Sequence, residues 1–286
     1  MIFDGRAYAN LLLEELKVKR EKLEVVPRLV WLCVGEDEAS VVYGKLKARA
    51  AEKLGIEFEK VYLGEEIEDI DLRNEIKKHC ENKNVHGVMV QLPARVKGNL
   101  YGALGEIWMS KDIDCLNPYS IGMLLAGEGL YLPATVGAVG QILMYALGEI
   151  ESPINDLGSL LKIGKVLEGK RVVVIGGGWE VGKPLVGLLS NWGASVFWVR
   201  SKEVNLGEVV NLGDIVISAT GKKNLVEGTM IQEGAVVIDV GAPWGDVDFG
   251  SVRTVARFLT PVPGGVGPVT VACLMANVIN AVEENG

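Results

Sequence analysis

The sequence has few of the residues that build metal centres and disulfide frameworks. Only 4 cysteines and 2 histidines occur in 286 residues. The cysteines form neither a CxxC pair nor a metal-ligand spacing, a pattern typical of small buried thiols. We therefore expect no bound metal ion, structural zinc included, and a reducing compartment such as the cytoplasm.

Positive charge and long apolar runs are also scarce. Lys and Arg number 29 against 37 Asp and Glu, a net charge of −8. This argues against a nucleic-acid partner, which would require a basic face. The sequence has no run of about 20 apolar residues and no cleavable signal pattern in MIFDGRAYANLLLEEL. We expect neither a nucleic-acid partner nor a membrane span.

The remaining composition is that of an ordinary globular protein, with 49% hydrophobic and 23% charged residues. At about 150 residues per domain, the length indicates two domains, with one large domain as the alternative. Buried strands are predicted at Arg28–Val34 and Val85–Val90, and an amphipathic helix at Asp37–Leu54. The second half restarts with a strand at Lys170–Ile175 and ends in a helix over Val269–Glu283. Such alternation predicts an α/β fold with parallel βαβ units.

A glycine-rich turn joins a strand to a helix at Gly176–Gly182. Backbone N–H groups at the start of such a helix can hold a pyrophosphate, assisted by the helix dipole. The spacing is Gly-x-Gly-x-x-x-Gly and not the common GxGxxG, so an ordinary strand-to-helix turn is the alternative. The flanking strand and helix, with a second strand about twenty residues on, favour a Rossmann-type doubly wound dinucleotide domain.

The end of that second strand should select the cofactor. An NAD site usually has Asp or Glu there, which accepts hydrogen bonds from the ribose hydroxyls. Here the strand ends in Arg200, Ser201 and Lys202, and two cations with a hydroxyl suit the 2′-phosphate of NADP. A solvated basic loop is the alternative explanation, and NAD is the alternative cofactor.

Four further features need a joint explanation. Tyr43 and Lys47 stand four residues apart and share a helix face. Gln91-Leu92-Pro93 follows a strand, at the carboxyl edge where ligands bind to parallel sheets. Lys111–Asp114 carries two carboxylates, and Pro261–Thr270 is dense in proline and glycine. Singly, each has an ordinary structural explanation: a half-buried aromatic beside a solvated amine, a strand exit, a capping loop and a rigid hinge.

Together these features resemble the methylenetetrahydrofolate dehydrogenase/cyclohydrolase family over nearly the whole chain. The Pro261–Pro268 stretch is highly specific to that family, and the Ser-x-x-Tyr-x-x-x-Lys pattern ending at Lys47 is moderately specific. The matching segments are Gly35–Lys47, Val90–Pro93, Lys111–Asp114, Pro133–Gly137, the glycine turn, Asp239–Gly241, Gly245–Phe249 and Thr260–Thr270.

The resemblance implies two-step folate chemistry. A hydride passes from the methylene carbon of 5,10-methylenetetrahydrofolate to NADP, and water then opens the methenyl cation to 10-formyltetrahydrofolate. By position, Lys47 resembles the family's essential lysine and Gln91 the residue that holds and tunes it. Tyr43 resembles the aromatic that packs against folate, and Asp114 the carboxylate that anchors the pterin. A lysine that handles protons near pH 7 must be partly neutral, which desolvation or nearby positive charge can arrange.

The resemblance also implies the remaining binding residues and the division of the chain. The catalytic domain would comprise residues 1–138 plus 262–286, completed by the C-terminal helix, and the Rossmann domain residues 139–261, with a cleft between them. A homodimer through the nucleotide domain is implied. Further substrate-binding residues are Leu92, Pro93, Pro263, Gly264, Gly265 and Val266. Further cofactor-binding residues are Gly176, Gly177, Gly178, Trp179, Glu180, Val181, Thr220 and Gly241.

The chain departs from the family pattern at four places. Cys115 stands where the family has glycine after the aspartate; if that glycine supplies a positive φ, we expect a different local backbone. Gly177 and Gly178 replace an Arg-Ser pair, so NADP preference rests on the basic residues after the second strand. Pro-x-Thr-Pro becomes Pro133–Val136, and Gly148–Leu167 is longer than the usual connection. None of these four departures removes a catalytic residue, so we expect both the dehydrogenase and the cyclohydrolase activity.

Three other functions compete with the bifunctional enzyme. One is a monofunctional methylenetetrahydrofolate dehydrogenase, which could use NADP or NAD as its cofactor. Another is a two-domain oxidoreductase of the shikimate-dehydrogenase type, which also has a catalytic lysine but does not explain Pro261–Pro268. The third is a catalytically inactive folate- or nucleotide-binding protein, which the presence of Lys47 and Gln91 disfavours.

Overall fold

The chain forms two compact units, each with its own parallel sheet. The computed structural model describes residues 1–35, 38–156, 158–161 and 164–285. The three-stranded unit comprises Leu12–Ala134, Asn155–Gly158 and the residues from Val271 onwards. The five-stranded unit comprises Met1–Leu11, Thr135–Ile154 and Ser159–Thr270. The predicted two-domain α/β fold is confirmed.

The first half of the chain alternates helices and strands. Its elements are α1 (Gly5–Glu21), β1 (Arg28–Cys33), α2 (Glu38–Lys53), β2 (Glu57–Tyr62), β3 (Ile67–Glu68), α3 (Asp69–Glu81), β4 (Gly87–Gln91), β5 (Val96–Lys97), α4 (Leu100–Leu104) and α5 (Pro118–Leu125). The main sheet has the order β2-β1-β4, and β3 pairs with β5 in a separate two-stranded sheet. All these pairs are parallel.

Burial along the strands explains their order in this sheet. β1 is a nearly continuous apolar run with five of its six residues buried, and β4 is buried throughout, as expected for strands covered on both faces. β2 has no fully buried residue, which fits an edge strand. α2 is followed by Gly55 at φ +63°, the left-handed conformation that ends many helices. The first residue of the predicted helix, Asp37, lies outside the described residues.

The second half forms a Rossmann-type sheet. Its elements are α6 (Ala134–Leu147), α7 (Gly158–Leu161), β6 (Arg171–Ile175), α8 (Gly182–Asn191), β7 (Ser195–Val199), α9 (Leu206–Asn211), β8 (Ile215–Ser218), β9 (Val236–Asp239), α10 (Phe249–Val252), β10 (Phe258–Leu259) and α11 (Val266–Asn285). The strands lie in the order β10-β9-β8-β6-β7 and are all parallel. In the long connection Gly148–Leu167, three residues (157, 162 and 163) lie outside the described chain.

Residues 1–11 belong to the same compact unit as the five-stranded sheet, whereas the domain division predicted from the sequence assigns them to the catalytic domain. Ile2 forms a parallel bridge with Leu259 of β10, and the Phe3 N–H donates to the Leu259 carbonyl oxygen over 3.0 Å. The C-terminal helix changes unit between residues 270 and 271. The functional division into 1–138 plus 262–286 and 139–261 stays a prediction.

Helix α11 is the described segment with enough length and apolar character to cross a membrane, with a mean hydropathy of 1.4 over its best window. Of that window, 72% is buried inside the protein. Burial of this kind is typical of a core helix, because a helix that is apolar all round needs an apolar environment on every side.

Candidate active site

Lys47 and Gln91 meet at the carboxyl edge of the three-stranded sheet. Lys47 projects from α2, and Gln91 is the last residue of β4. The Lys47 Nζ atom lies 2.8 Å from Oε1 of Gln91 and 3.5 Å from Sδ of Met89. Only 6% of Lys47 and 9% of Gln91 is exposed, so water has little access to this contact. Desolvation disfavours a charged amine, which suits proton transfer near neutral pH.

Two more hydrogen bonds hold the Gln91 amide. Trp31, fully buried on β1, donates from Nε1 to the same Gln91 oxygen over 3.2 Å. Gln91 in turn donates from Nε2 to the carbonyl oxygen of Leu92 over 2.7 Å. A cis peptide bond joins Leu92 to Pro93. The amide therefore presents its oxygen to the amine of Lys47.

Tyr43 lies one helical turn before Lys47 on α2 and is half-buried. Burial raises the pKa of its phenol above the ordinary value. The side chain is therefore a neutral hydroxyl on an aromatic ring at neutral pH. Such a group offers a flat apolar surface with one polar end.

The two carboxylates of Lys111–Asp114 have different surroundings. Asp112 is completely buried and accepts hydrogen bonds from the backbone N–H groups of Leu116 (2.8 Å) and Asn117 (2.9 Å). Burial raises the pKa of this carboxyl to about 6. The two backbone hydrogen bonds and a side-chain hydrogen bond with Ser120 oppose this rise. Asp112 thus holds the backbone of the loop, which is the ordinary structural explanation for a pair of carboxylates in a loop.

Asp114 lies within electrostatic reach of Lys47. Burial raises the pKa of the Asp114 carboxyl, and the charge of Lys47 opposes that rise. Its Oδ1 atom accepts a hydrogen bond from the backbone N–H of Ala134 over 2.7 Å, at the start of α6. The structure thus brings Lys47, Gln91 and Asp114 together in one unit.

The expected change of backbone at Cys115 is wrong. Cys115 has φ +50°, so the cysteine adopts the left-handed conformation that glycine usually occupies. Its thiol is buried and donates to the carbonyl oxygen of Tyr131 over 2.9 Å. Burial raises the pKa of this thiol well above its usual range. The hydrogen bond and the buried packing of the sulfur stabilise the loop in this conformation.

Glycine is required at both ends of the predicted nucleotide turn. Gly176 has φ +125°, and a Cβ atom there would lie 2.3 Å from the carbonyl oxygen of Ala219. A Cβ at Gly182, the first residue of α8, would lie 2.4 Å from the carbonyl oxygen of Gly176. A Cβ at Gly178 would meet nothing within 4 Å. The turn is therefore shaped by close backbone packing and is open at its outer side.

Two side chains, one on β7 and one just after it, border this turn. Trp198 donates from Nε1 to the carbonyl oxygen of Gly176 over 2.7 Å. The Arg200 guanidinium lies 3.3–3.4 Å from where a Cβ of Gly177 would be. Ser201 is partly buried and Lys202 is exposed in the turn that follows β7. A cation thus lies next to Gly177.

The first turn of α8 has no side-chain cap of its own. The N-cap residue, Val181, makes no side-chain hydrogen bond to the helix. Trp179 and Glu180 precede it, and the ammonium of Lys183 lies 5.1 Å from the centroid of the Trp179 ring. An uncapped helix N-terminus after a glycine turn fits a phosphate group.

Thr220 and Gly241 are held by two buried carboxylates. The Thr220 N–H donates to Oδ2 of Asp246, and the Gly241 N–H donates to Oδ1 of Asp239, over 2.6 and 2.8 Å. Burial raises the pKa of the Asp239 carboxyl to about 6. Hydrogen bonds from three backbone N–H groups to this carboxylate oppose the rise. A Cβ at Gly241 would lie 2.3 Å from Oδ1 of Asp246, so this glycine is required for packing.

The Pro261–Val266 stretch turns tightly before α11. A cis peptide bond joins Val262 to Pro263, and Gly264 has φ +105°. A Cβ at Gly265 would lie 2.5 Å from the carbonyl oxygen of Pro261. Val266 begins α11. Both glycines are therefore required by the turn itself, before any ligand is considered.

Family models match both units. The catalytic-domain model of tetrahydrofolate dehydrogenase/cyclohydrolase matches residues 3–114, and the NAD(P)-binding-domain model matches residues 157–286. The chain belongs to the tetrahydrofolate dehydrogenase/cyclohydrolase family. This confirms the resemblance predicted from the sequence and favours a folate enzyme over the shikimate-type and inactive-protein alternatives.

Relatives in this family match over their full length. The bifunctional protein FolD of Caldanaerobacter subterraneus is 36% identical over 98% of this chain and 96% of its own. The structure of the bifunctional FolD enzyme from Campylobacter jejuni has a TM-score of 0.86 at 33% identity and covers 99% of both chains. FolD of Trypanosoma brucei, solved with NADP and an inhibitor, has a TM-score of 0.87 at 34% identity over 99% and 97%.

The structure adds two residues that the motif analysis of this dehydrogenase/cyclohydrolase chain did not single out, since Trp31 and Met89 contact the Lys47–Gln91 pair. Asp239 and Asp246 belong to matching segments of the sequence, and the structure shows that they hold the nucleotide-side loops. A lone tryptophan within the aliphatic strand Arg28–Cys33 is the signal that could have identified Trp31. Among the described residues, no group of three or more His, Cys, Asp or Glu is placed to hold a metal ion.

Proposed function

We propose that the chain oxidises 5,10-methylenetetrahydrofolate with NADP and hydrolyses the methenyl product to 10-formyltetrahydrofolate. The observation that carries this proposal is the buried contact between Lys47 and Gln91 at the carboxyl edge of a parallel sheet. A buried amine with a neutral amide partner suits a residue that must gain and lose a proton during hydrolysis.

Lys47 would handle the proton of the attacking water. The ammonium form is disfavoured by burial and by the positive charge of the methenyl substrate, and it is favoured by Asp114. Gln91 would hold the amine in place in either protonation state, because its oxygen can accept from both. This arrangement keeps one lysine available for proton transfer near neutral pH.

Asp114 and Tyr43 would orient the folate. A carboxylate can accept several hydrogen bonds, so Asp114 can hold Ala134 and also accept from the amino-pyrimidinone edge of the pterin. The half-buried ring of Tyr43 would pack against the folate rings. Leu92, Pro93 and the stretch Pro263–Val266 would complete the substrate contacts.

The five-stranded unit would bind NADP. When bound, the nicotinamide accepts the hydride that the folate methylene carbon releases. The turn Gly176–Gly178, with Trp179, Glu180 and Val181 at the start of α8, would hold the pyrophosphate. Thr220 and Gly241, at the carboxyl ends of β8 and β9, would contact the remainder of the dinucleotide.

Arg200, Ser201 and Lys202 would bind the 2′-phosphate. The guanidinium beside Gly177 supports this choice, because an arginine presents several donors to phosphate oxygens. The relative from Trypanosoma brucei was solved with NADP. NAD would lack the phosphate that these residues contact.

The protein would act as a cytoplasmic homodimer, without nucleic-acid or membrane partners. β7 forms one edge of its sheet, and Phe197 and Trp198 on it are exposed by 36% and 44%. Large exposed apolar side chains on an unpaired strand edge are typical of a subunit interface. A monomeric mass by light scattering at assay concentration would contradict the dimer.

The test is an assay of both steps with wild-type protein. Methylenetetrahydrofolate is mixed with NADP or with NAD, and the absorbances of reduced nucleotide and methenyl folate are followed separately. We expect reduced nucleotide with NADP and no lasting methenyl signal. No reduced nucleotide with either cofactor would contradict the dehydrogenase proposal, and persistent methenyl folate would leave the monofunctional alternative.

A further inference from the structure

Trp31 is wedged between the central strand β1 and helix α2. It is 0% exposed and lies opposite Met89 in the register of β1 and β4. A Cβ atom at Gly44 of α2 would lie 2.8 Å from Cη2 of the indole. The ring therefore occupies the space that a side chain at position 44 would fill.

Two aromatic residues of the neighbouring strand β2 also contact the indole. The ring centroid of Phe58 lies 6.2 Å away, and that of Tyr62 lies 6.0 Å away in an edge-on arrangement at 85°. Such contacts, together with the close approach of Gly44, leave the indole one position. The direction of its N–H group is fixed accordingly.

The partners of an amide decide which end is oxygen and which is NH2, because the two ends have nearly the same shape. Around Gln91, the Trp31 N–H can only donate and the Leu92 carbonyl can only accept. Lys47 differs from both, since a neutral amine can donate or accept. Neutral Lys47 therefore does not determine the orientation of the amide by itself.

We propose that Trp31 is a positioning residue that keeps the oxygen of Gln91, and not its NH2 group, turned towards neutral Lys47. A reversed amide would donate to the lone pair of Lys47, which is the pair that takes the proton from water. The indole N–H opposes that reversal because it would then face another donor. The inference rests on the proposed role of Lys47.

The charged and titratable groups around Lys47 bear on any pH profile. In the three-stranded unit, Asp114 faces it from the loop before α5, and Tyr43 lies on its own helix. The neighbours on β1 and β4 that contact the pair, Trp31 and Met89, are uncharged. Beside the indole on β2, Tyr62 is titratable, and Lys60 lies opposite Trp31 in the strand register with its ammonium 6.0 Å from the centroid of the Phe58 ring.

The test is Trp31→Phe, with Trp192→Phe as the matched control. Trp192 is also buried, at 1% exposure, and donates from Nε1 to the Leu160 carbonyl oxygen over 2.8 Å in the five-stranded unit. Both variants lose a buried indole N–H, but only Trp31 contacts Gln91. Hydrolysis of methenyltetrahydrofolate is measured from pH 5.5 to 9, with kcat and KM separated.

For Trp31→Phe we expect kcat to fall about fivefold, the rate equivalent of one hydrogen bond, with KM unchanged within about twofold. Without the indole N–H, the Leu92 carbonyl is left to oppose reversal of the Gln91 amide, so a fraction of the amides reverses. A reversed amide stabilises the neutral amine, and the acid limb of the profile should therefore move to lower pH. Trp192→Phe should keep the wild-type limb. A profile of Trp31→Phe that superimposes on wild type, or a limb displaced to higher pH, would overturn the proposal.

A second replacement covers the case in which Trp31→Phe does not fold. Benzothienylalanine at position 31 keeps the bicyclic shape and exchanges the N–H for sulfur, so packing under Gly44 is retained. The same displacement of the acid limb is expected, and an unchanged limb would again reject the role of the N–H. Failure of the proposed function would look different, since wild-type protein would then show no hydrolysis at all.

Discussion

Around Lys47, side chains fill the space between α2 and the sheet, whereas around Gly176 a side chain has no space. The first region is specified by what is present: an amine, an amide and an indole joined by hydrogen bonds of 2.8 and 3.2 Å. The second is specified by a missing Cβ, which would lie 2.3 Å from a carbonyl oxygen.

The region around Lys47 and the region around Gly176 tolerate substitutions differently. A site made of contacting side chains loses chemistry when one partner is replaced, while its fold can survive. A site made of close backbone packing loses its shape as soon as any side chain is added, whatever its chemistry. The same unit therefore has space for a side chain at Gly178 and none at Gly176 or Gly182.

Lys47→Met should have the largest effect on catalysis. Removing a proton-transfer group typically costs about 10²–10⁴-fold in rate, so hydrolysis of methenyltetrahydrofolate should become undetectable in the absorbance assay. Lys45→Met, at an exposed position on the same helix, is the control and should retain wild-type rates. Undiminished hydrolysis in Lys47→Met would refute the role assigned to this residue.

Gly176→Ala should break the second region by shape alone. The added methyl meets backbone at a positive φ, and we expect a loss of about 2–4 kcal/mol in the free energy of unfolding of this unit. NADP binding, followed by fluorescence titration, should be lost. For stability, Gly178→Ala is the matched control, because its methyl meets nothing within 4 Å. An equal loss of unfolding free energy in the two variants would show that the turn is not shaped by packing.

Arg200→Ala sharpens the comparison, because it changes a side chain in the region that glycines build. Loss of one charge-assisted contact to the 2′-phosphate should raise the KM for NADP about tenfold. The KM for NAD, which lacks this phosphate, should stay the same. Arg253→Ala, at an exposed arginine in the same unit, should change neither value. Parallel changes for both cofactors in Arg200→Ala would point to a disturbed turn instead.

Asp112→Asn tests a loop in which one buried carboxylate holds the backbone. Burial raises the pKa of Asp112 to about 6, so the folded chain binds this proton more tightly than the unfolded chain does. This contribution to stability is present at pH 4 and is lost as the pH rises through about 6.

In denaturant unfolding at pH 4–7, the variant should lack this decrease, which amounts to up to about 3 kcal/mol. Asp214→Asn is the contrasting control. Arg171 lowers the pKa of the Asp214 carboxyl, so its proton binding falls outside this range. An unchanged slope in Asp112→Asn would mean that another group titrates there.

Pattern reasoning works best where burial is continuous. The apolar run of β1 and the glycine turn before α8 were both predictable, because a strand buried on both faces and a turn with positive φ leave direct traces in the sequence. α5 (Pro118–Leu125) is absent from the sequence prediction, although Asn117 caps it, accepting from the Tyr119 N–H over 2.8 Å.

The residues of the candidate site could be predicted from the sequence, but the hydrogen bonds that join them could not. Lys47, Gln91 and Asp114 came from motifs at separate places in the chain, and the parallel sheet edge brings them together. The contact of Trp31 with Gln91 depends on Gly44 lying above the indole, across a helix and a strand. Spacing along the sequence carries no information about such a contact, because it depends on tertiary packing.

Cys115 has a consequence for how sequences of this family are compared. The position after Asp114 requires a left-handed backbone, and cysteine meets that requirement with a thiol bonded to Tyr131. A motif search that insists on glycine there would reject this chain, although its loop is intact. The requirement at such a position is a backbone torsion angle, and more than one residue type can provide it.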